Sequence, residues 1–183
     1  MSRKKIICGL LCVGTEITEG GTQDKHVQYL SAKLRSIHIE VSKAIIIPDH
    51  RERFLNSLNI LIDENDLVIV TGGLGPTSDD MTREVVAAAA KVSLEFHEDI
   101  WQCLEKRFAG RKLSLTNKRQ AYLPAGFTRI ENPNGTAPGF FGKIRQSLVF
   151  ALPGQPRELL PMTENILVPK VLEMFNISPP SEK

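Results

Sequence analysis

The sequence predicts an α/β protein in which a mostly parallel sheet is covered by helices on both faces. Three short apolar runs, at 5–13, 39–47 and 67–70, are typical of strands that are buried on both sides. Each run is followed by a stretch whose apolar residues recur every three or four positions, which indicates an amphipathic helix. This β-α-β-α-β-α order favours parallel strands joined by right-handed crossovers.

The first half of the chain has the clearest periodicity. After the first strand, a helix is expected from Val27, where apolar residues recur at helical spacing. The second strand stops at Pro48, and Asp49 with Glu52 three residues later is a helix-start signal. The third strand leads into a glycine-rich turn, after which a helix is expected to begin near Ser78.

The second half is less regular. An amphipathic helix is expected around 100–108 and a short helix at 115–121. Further strands are expected at 127–130 and 148–152, separated by a loop dense in turn residues. A last helix is expected at 157–175, with an interruption at a proline.

Length and composition bound the class of protein. The 183 residues suit one domain, which we expect to cover 1–176 and to be followed by a tail or linker at 177–183. A net charge of +2 and an aromatic content of 6% argue against a nucleic-acid partner. No apolar stretch is long enough to cross a bilayer, so no membrane partner and a cytoplasmic location are expected.

The cysteines and histidines are interpreted as residues without a chemical role. Cys8 and Cys12 share one expected strand, where their Cα atoms would lie about 13 Å apart, too far for a disulfide. All three cysteines, which are Cys8, Cys12 and Cys103, are interpreted as small buried residues of a reducing compartment. The histidines show no ligand spacing and are interpreted as surface residues. They are His26, His38, His50 and His97.

The run at 71–82 combines glycines, hydroxyls and carboxylates at the end of the third strand. Its glycines would let backbone N–H groups approach a phosphate. Its two aspartates alone would repel a phosphate, but a divalent cation bound between them and the phosphate would remove that repulsion. The simpler alternative is that its polar residues only cap a helix, but capping needs one such residue rather than a run of them beside three glycines. The candidate residues are Gly72, Gly73, Gly75, Thr77, Asp79 and Asp80.

Three further loops with polar residues follow expected strands. Because ligands of open α/β sheets bind beyond the carboxyl ends of the strands, we expect these loops to form one pocket with the 71–82 run. Each loop also has a simpler interpretation, as a strand exit, a rigid connection between strands, or a helix start. The candidate residues are Gly14, Thr15, Glu16, Asn132, Gly135, Thr136, Pro153, Gly154 and Glu158.

These motifs resemble those of a known family when they are taken in order. They are Val13-Gly14-Thr15-Glu16, Thr71-Gly72-Gly73-Leu74-Gly75-Pro76-Thr77 with Asp79-Asp80 and Thr82, Asn117 with Gln120-Ala121, Asn132-Pro133 with Gly135-Thr136-Ala137-Pro138-Gly139-Phe140, and Leu152-Pro153-Gly154 with Pro156 and Glu158-Leu159. Together they resemble the N-terminal domain of the CinA family (competence/damage-inducible protein A), within the wider MogA/MoaB molybdopterin-binding superfamily.

The resemblance implies a three-layer α/β/α sandwich with a mostly parallel central sheet that forms a homo-oligomer. In the CinA branch it implies metal-dependent hydrolysis of ADP-ribose at its pyrophosphate, with Asp79 and Asp80 as catalytic and metal-binding residues. The cofactor would be a divalent metal of the Mg²⁺ or Co²⁺ class, with K⁺ as a further candidate. In the MogA/MoaB branch the equivalent pocket binds molybdopterin instead, so the ligand is a small phosphorylated molecule in both cases.

Two departures from the family pattern keep a third alternative open. Asp24-Lys25-His26 stands where the family usually has Asn-Thr-Asn or Asp-Thr-Ser, and Arg119 stands where it usually has Lys. Asp24 agrees with the MogA/MoaB pattern and Arg119 keeps the charge, so both remain candidate ligand-binding residues. Lys25 and His26 favour a third hypothesis, a non-catalytic ligand-binding or assembly module.

Overall fold

A computed structural model of the chain describes residues 5–108 and 113–178. Most of the expected tail at 177–183 therefore lies outside the described residues. The strands of the described parts are β1 (Ile7–Val13), β2 (Glu40–Ile47), β3 (Leu67–Thr71), β4 (Leu94–Phe96), β5 (Tyr122–Pro124), β6 (Thr128–Ile130), β7 (Gly139–Ile144) and β8 (Ser147–Leu152).

Six of these strands form the central sheet, in the order β2-β1-β3-β8-β7-β6. The first four are parallel to one another, and β7 and β6 extend the sheet antiparallel. The remaining two, β4 and β5, form a separate antiparallel pair. The sheet is thus mostly parallel, as the sequence predicts.

Helices cover both faces of the sheet. Within the described ranges, no helix is long and apolar enough to cross a bilayer. The α-helices are α1 (Thr15–Thr18), α2 (His26–Ser36), α3 (Arg51–Glu64), α4 (Thr82–Ala90), α5 (Glu98–Arg107), α6 (Pro156–Met162) and α7 (Val168–Met174). A 3₁₀ helix covers Leu115–Ala121, and a π-helical turn at Thr163–Leu167 joins α6 to α7.

The core consists of two apolar clusters, one on each face of the sheet. Along β3, Val68 and Val70 pack towards α3, α4 and α5, whereas Leu67 and Ile69 pack towards α2, α6 and α7. All four side chains are fully buried, so each contributes about 1.5–3 kcal/mol of hydrophobic free energy. This burial on both faces is why the strand appears in the sequence as an uninterrupted apolar run.

Two helix starts differ from the expectation. The helix expected near Ser78 begins at Thr82, because residues 75–80 form a turn around the Asp80 carboxylate. The helix that follows β2 begins at Arg51 and is capped by His50, whose Nδ1 accepts from Arg53 N at 3.4 Å. The helix-start signal at Asp49 therefore lies one residue before the residue that caps the helix.

The strand β7 is absent from the sequence-based expectation because its glycines disfavour a strand. They are required by close packing: a Cβ on Gly142 would lie 2.5 Å from Phe127 Cδ1, and one on Gly139 would lie 2.7 Å from the Ala151 carbonyl oxygen. The two-residue turn to β8 also lacks the usual Asn-Gly signal, since Arg145 itself adopts a φ of 55° there.

Gly72 fixes the position at which the chain leaves β3. Its φ is +97°, and a Cβ added there would lie 2.2 Å from the Val13 carbonyl oxygen at the end of β1. Both the backbone conformation and the close approach of the two strand exits therefore require glycine.

We expect Gly72→Ala to lower the free energy of unfolding by about 2–4 kcal/mol, because the new methyl group meets backbone that belongs to a central strand. Gly20→Ala is the matched control: it has a φ of +77°, but its added Cβ has no atom within 4 Å. That variant is expected to lose only about 1 kcal/mol, from backbone strain alone. Urea unfolding monitored by circular dichroism measures both values, and equal losses would contradict the close contact at Gly72.

Candidate functional site

The loops at the carboxyl edge of the sheet enclose a pocket of about 380 Å³. It forms there because Cys12, Thr71 and Leu152 are aligned across β1, β3 and β8, so these strands end at the same level. The pocket brings together most of the residues that the sequence indicates. Those that line it are Gly14, Glu16, Gly72, Gly73, Gly75, Thr77, Asp79, Asp80, Thr136, Gly154 and Glu158.

The other six candidate residues do not line this pocket. They are Thr15, Asp24, Arg119, Asn132, Gly135 and Pro153. Several of them hold lining residues instead. The backbone N–H and hydroxyl of Thr15 donate to Asp49 Oδ2 at 2.8 and 2.9 Å, and Asn132 Nδ2 donates to Glu158 Oε2 at 2.8 Å. These residues therefore orient carboxylates that face the pocket.

The turn at 72–80 is organised by the Asp80 carboxylate. Asp80 Oδ1 accepts from Gly75 N at 2.8 Å, and Oδ2 accepts from Thr77 N at 2.9 Å and from Thr77 Oγ1 at 2.5 Å. Gly72 N donates to the Leu152 carbonyl at 3.0 Å. The expectation that all three glycines offer N–H groups to a phosphate is therefore wrong for Gly72 and Gly75. Within the described residues, the N–H of Gly73 remains without a partner.

Two arginines hold the opposite side of this turn. The buried Arg83 donates to the carbonyls of Leu74 and Gly75, at 2.5 and 3.3 Å. Burial lowers the pKa of Arg83 to about 10, which still leaves the guanidinium charged at neutral pH. Arg119 donates to the Thr77 carbonyl at 2.5 Å and to Glu84 Oε1 at 2.8 Å. The role of Arg119 in this structure is thus to brace the turn.

The pocket also contains residues that the sequence interpretation did not place there. Asp49 is one of them, and it lies two residues after the end of β2. The strand-end argument that selected the other loops would have selected Asp49 as well, had it not been interpreted as a helix cap. Gln120 is a second, and its Nε2 donates to Thr136 Oγ1 at 3.1 Å. His26 and Gln155 are the other two polar residues of this kind.

The position of His26 corrects the interpretation of all four histidines as surface residues. Its side chain is only 12% exposed and faces the pocket, whereas His38 and His50 are exposed and His97 is half-buried. The sequence could have placed His26 in the pocket, because the residue lies at the start of α2. The N-terminus of this helix lies at the same edge of the sheet as the strand ends.

Carboxylates dominate the electrostatics of the pocket. Five of them line it: Glu16, Asp49, Asp79, Asp80 and Glu158. The described lining contains neither lysine nor arginine. A phosphate is repelled by such a surface unless a cation lies between them, so a phosphorylated ligand needs a bound cation to enter.

Asp79 and Asp80 fit a hard cation that is shared with a ligand. Asp79 is exposed and accepts only from Ser78 Oγ, at 3.4 Å, and Asp80 keeps about one of its four acceptor positions. Mg²⁺ commonly binds one or two carboxylates together with water and substrate phosphates. The two aspartates therefore suit that arrangement rather than an all-protein metal cage.

Comparison with known proteins identifies the family. The family model for a probable molybdopterin binding domain matches residues 9–173. The chain belongs to this family. The chain is similar to the crystal structure of a CinA protein of unknown function from Thermoplasma acidophilum. The two are 30% identical and have a TM-score of 0.81, and the alignment covers 94% of this chain and 99% of that one. The CinA-like resemblance and the three-layer α/β/α fold are thereby confirmed.

The curated relatives in this family are longer than the chain. The Clostridium botulinum (strain Okra / Type B1) protein named "Putative competence-damage inducible protein" is 43% identical over 169 residues, which is 91% of this chain and 41% of the relative. The chain thus spans about two fifths of the length of such relatives. The tungsten cofactor synthesizing protein MoaB from Pyrococcus furiosus, at 20% identity and a TM-score of 0.62, shares the fold; it aligns over 94% of this chain and 96% of that one.

We expect Asp80→Asn to lower the free energy of unfolding by about 1–3 kcal/mol, because an amide nitrogen would replace an oxygen that accepts from the turn. Asp79→Asn is the control, because this neighbouring acid is exposed and is expected to change stability by less than about 0.5 kcal/mol. Chemical unfolding of both variants measures the difference. An unchanged Asp80→Asn would show that the turn does not depend on this carboxylate.

Proposed function

We propose that this domain binds a nucleoside diphosphate of the ADP-ribose type with a divalent cation and hydrolyses it at the pyrophosphate. The observation that carries the proposal is the acid-lined pocket at the strand ends, which admits a phosphate only together with a cation. The resemblance to CinA proteins supports ADP-ribose as the substrate. A pocket of about 380 Å³ is in the range of small-molecule sites.

The turn at 72–80 would hold the pyrophosphate end. Asp79 and Asp80 would bind the cation, which when present polarises phosphoryl oxygens and lowers the pKa of bound water. Gly73 lines the same pocket, and its free N–H would donate to a phosphoryl oxygen as charge develops on it. Thr136 and Gly154, on the opposite loops, would shape the nucleotide end of the pocket.

Asp49 has the surroundings expected of a residue that accepts a proton from the attacking water. Thr15 occupies Asp49 Oδ2 with two hydrogen bonds, and Asp49 N donates back to Thr15 Oγ1 at 3.1 Å. These contacts fix the carboxylate in the pocket and leave Oδ1 as the oxygen available to water. We therefore assign Asp49 the role of general base within this proposal.

The proposal predicts AMP release from ADP-ribose in the presence of Mg²⁺ or Co²⁺ and none after the metal is removed with a chelator. Asp79→Asn should lower kcat/KM at least about tenfold, which corresponds to a loss of only about 1.4 kcal/mol of transition-state stabilisation. This variant is more informative than Asp80→Asn, because Asp79 does not organise the turn. The measurement is chromatographic quantification of AMP.

Asp63→Asn is the matched control for that assay. Asp63 is an exposed aspartate near the end of α3 that pairs with Arg145 and does not line the pocket. The Asp63→Asn variant should release AMP as fast as the parent chain. Absence of turnover with either metal would overturn the hydrolase proposal, and equal activity of Asp79→Asn and Asp63→Asn would overturn the metal assignment.

A second candidate function is binding of molybdopterin in the same pocket. The description of the family and the names of relatives such as MoaB favour it. Calorimetric titration of the chain with molybdopterin and with ADP-ribose plus Mg²⁺ discriminates between the two functions. We expect tighter binding of ADP-ribose, and the reverse order of affinities would favour the pterin. Binding of either ligand without turnover would favour the third hypothesis, a non-catalytic module.

A further inference from the structure

A second cluster of metal-ligating side chains lies beside the pocket, away from Asp79 and Asp80. One ligand atom each from Cys12, Asp24 and His26 lies within 4.8 Å of the other two. Cys12 comes from the end of β1, and the other two residues come from the start of α2. Among the described residues, no other set of three such side chains converges in this way.

The ligand atoms of the cluster are close enough together for one ion to reach all of them. His26 Nδ1 lies 3.8 Å from Asp24 Oδ1. Two ligands of a tetrahedral zinc ion are about 3.3–3.8 Å apart when the metal–ligand distances are about 2.0–2.3 Å. Small side-chain rotations within this cluster are therefore sufficient for all three atoms to reach one ion.

Hydrogen bonds already orient the ligands. Asp24 Oδ1 and Oδ2 accept from the N–H groups of His26 and Val27, at 3.0 and 3.2 Å, which fixes the carboxylate. Thr71 Oγ1 lies 3.3 Å from His26 Nδ1, so a bound ion would replace this contact at the ring nitrogen that faces Asp24. Hydrogen bonds to a ligating carboxylate, such as those to Asp24, are typical of metal sites.

Burial distinguishes this cluster from a chance group of surface residues. Cys12 is 1% exposed, and the side chains of Asp24 and His26 are 11% and 12% exposed. The first N–H groups of α2 require only the carboxylate of Asp24. They do not account for a thiol and an imidazole whose ligand atoms lie within 4.8 Å of that carboxylate.

The donor set selects the class of metal. Sulfur and imidazole ligands favour Zn²⁺ and Co²⁺, whereas Mg²⁺ and Ca²⁺ take oxygen ligands. Three protein ligands leave one position of a tetrahedral ion open. That position would face the pocket, because His26 lines it, and an added Cβ on Gly154 would lie 3.9 Å from His26 Cε1.

We propose that Cys12, Asp24 and His26 bind one divalent ion of the Zn²⁺ or Co²⁺ class, with its fourth position open to the pocket. This site is separate from the cation proposed at Asp79 and Asp80. It goes beyond the proposed function and does not rest on it, because metal binding is measured without substrate or turnover.

The test is titration of the full chain with Co²⁺ after removal of metals by a chelator and dialysis. We expect one Co²⁺ per chain to produce a thiolate-to-cobalt charge-transfer band in the near ultraviolet, and this band should disappear when Zn²⁺ displaces the cobalt. Co²⁺ bound at Asp79 and Asp80 gives no such band, because that site offers no sulfur. Cys12→Ser should abolish that band. His26→Gln should weaken Co²⁺ binding more than about 100-fold. Loss of a side chain that only hydrogen-bonds a metal ligand already lowers metal affinity about 10–100-fold, and His26 would be a ligand itself.

Cys103→Ser is the matched control, because Cys103 is an exposed cysteine outside the cluster. The burial expected for this residue is wrong, since it lies on the exposed side of α5. The variant should keep both the band and the affinity. Circular dichroism of the metal-free variants establishes that they are folded. His26→Gln provides an independent test if Cys12→Ser does not fold, because His26 is not part of the apolar core. The proposal is overturned if the parent chain binds no stoichiometric Co²⁺, or if folded Cys12→Ser keeps the band, or if His26→Gln binds Co²⁺ as tightly as the parent.

Discussion

The site depends on the hydrogen bonds that the Asp80 carboxylate accepts from Gly75 and Thr77. They reverse the direction of the chain after β3 and so place an acidic wall on one side of the pocket. Arg83 satisfies the carbonyls on the other side of the same turn, and Thr82 Oγ1 donates to the Gly72 carbonyl at 2.8 Å, where α4 begins. The segment thus satisfies much of its own backbone, and its shape does not need a ligand to maintain it.

The sheet supplies the second condition, because its parallel strands end at a common level. Loops that are far apart in sequence therefore meet, and each contributes a different kind of group. The loop after β1 brings Glu16, the end of β2 brings Asp49, and the segment after β8 brings Glu158, which Asn132 orients. Concentrating this many negative charges in a small volume costs free energy, and a bound cation would offset that cost. Charge is therefore the property of the pocket that most restricts its ligands.

Much of this could be predicted from the sequence, because buried parallel strands and strand-end loops have strong local patterns. The position of the pocket and most of its lining follow from that argument alone. The features that could not be predicted depend on contacts between distant residues. Gly142 pairs with Val149 of β8, and it is glycine because the Phe127 ring occupies the space of a side chain. Helix α4 begins later than the sequence predicts because Asp80 binds backbone N–H groups before it. The His26 side chain is largely buried because the end of β3 lies against the start of α2.

The burial of Arg83 has a consequence for how the domain responds to salt. Ions in solution screen charges that face water, such as the exposed pair of Lys5 and Glu40, but they scarcely reach a guanidinium that is 2% exposed. The turn that Arg83 supports should therefore keep its shape across a wide range of ionic strength. The carboxylates in front of it face solvent, and their attraction for a cation weakens as salt increases. Ionic strength would thus change the occupancy of the pocket while its architecture stays constant.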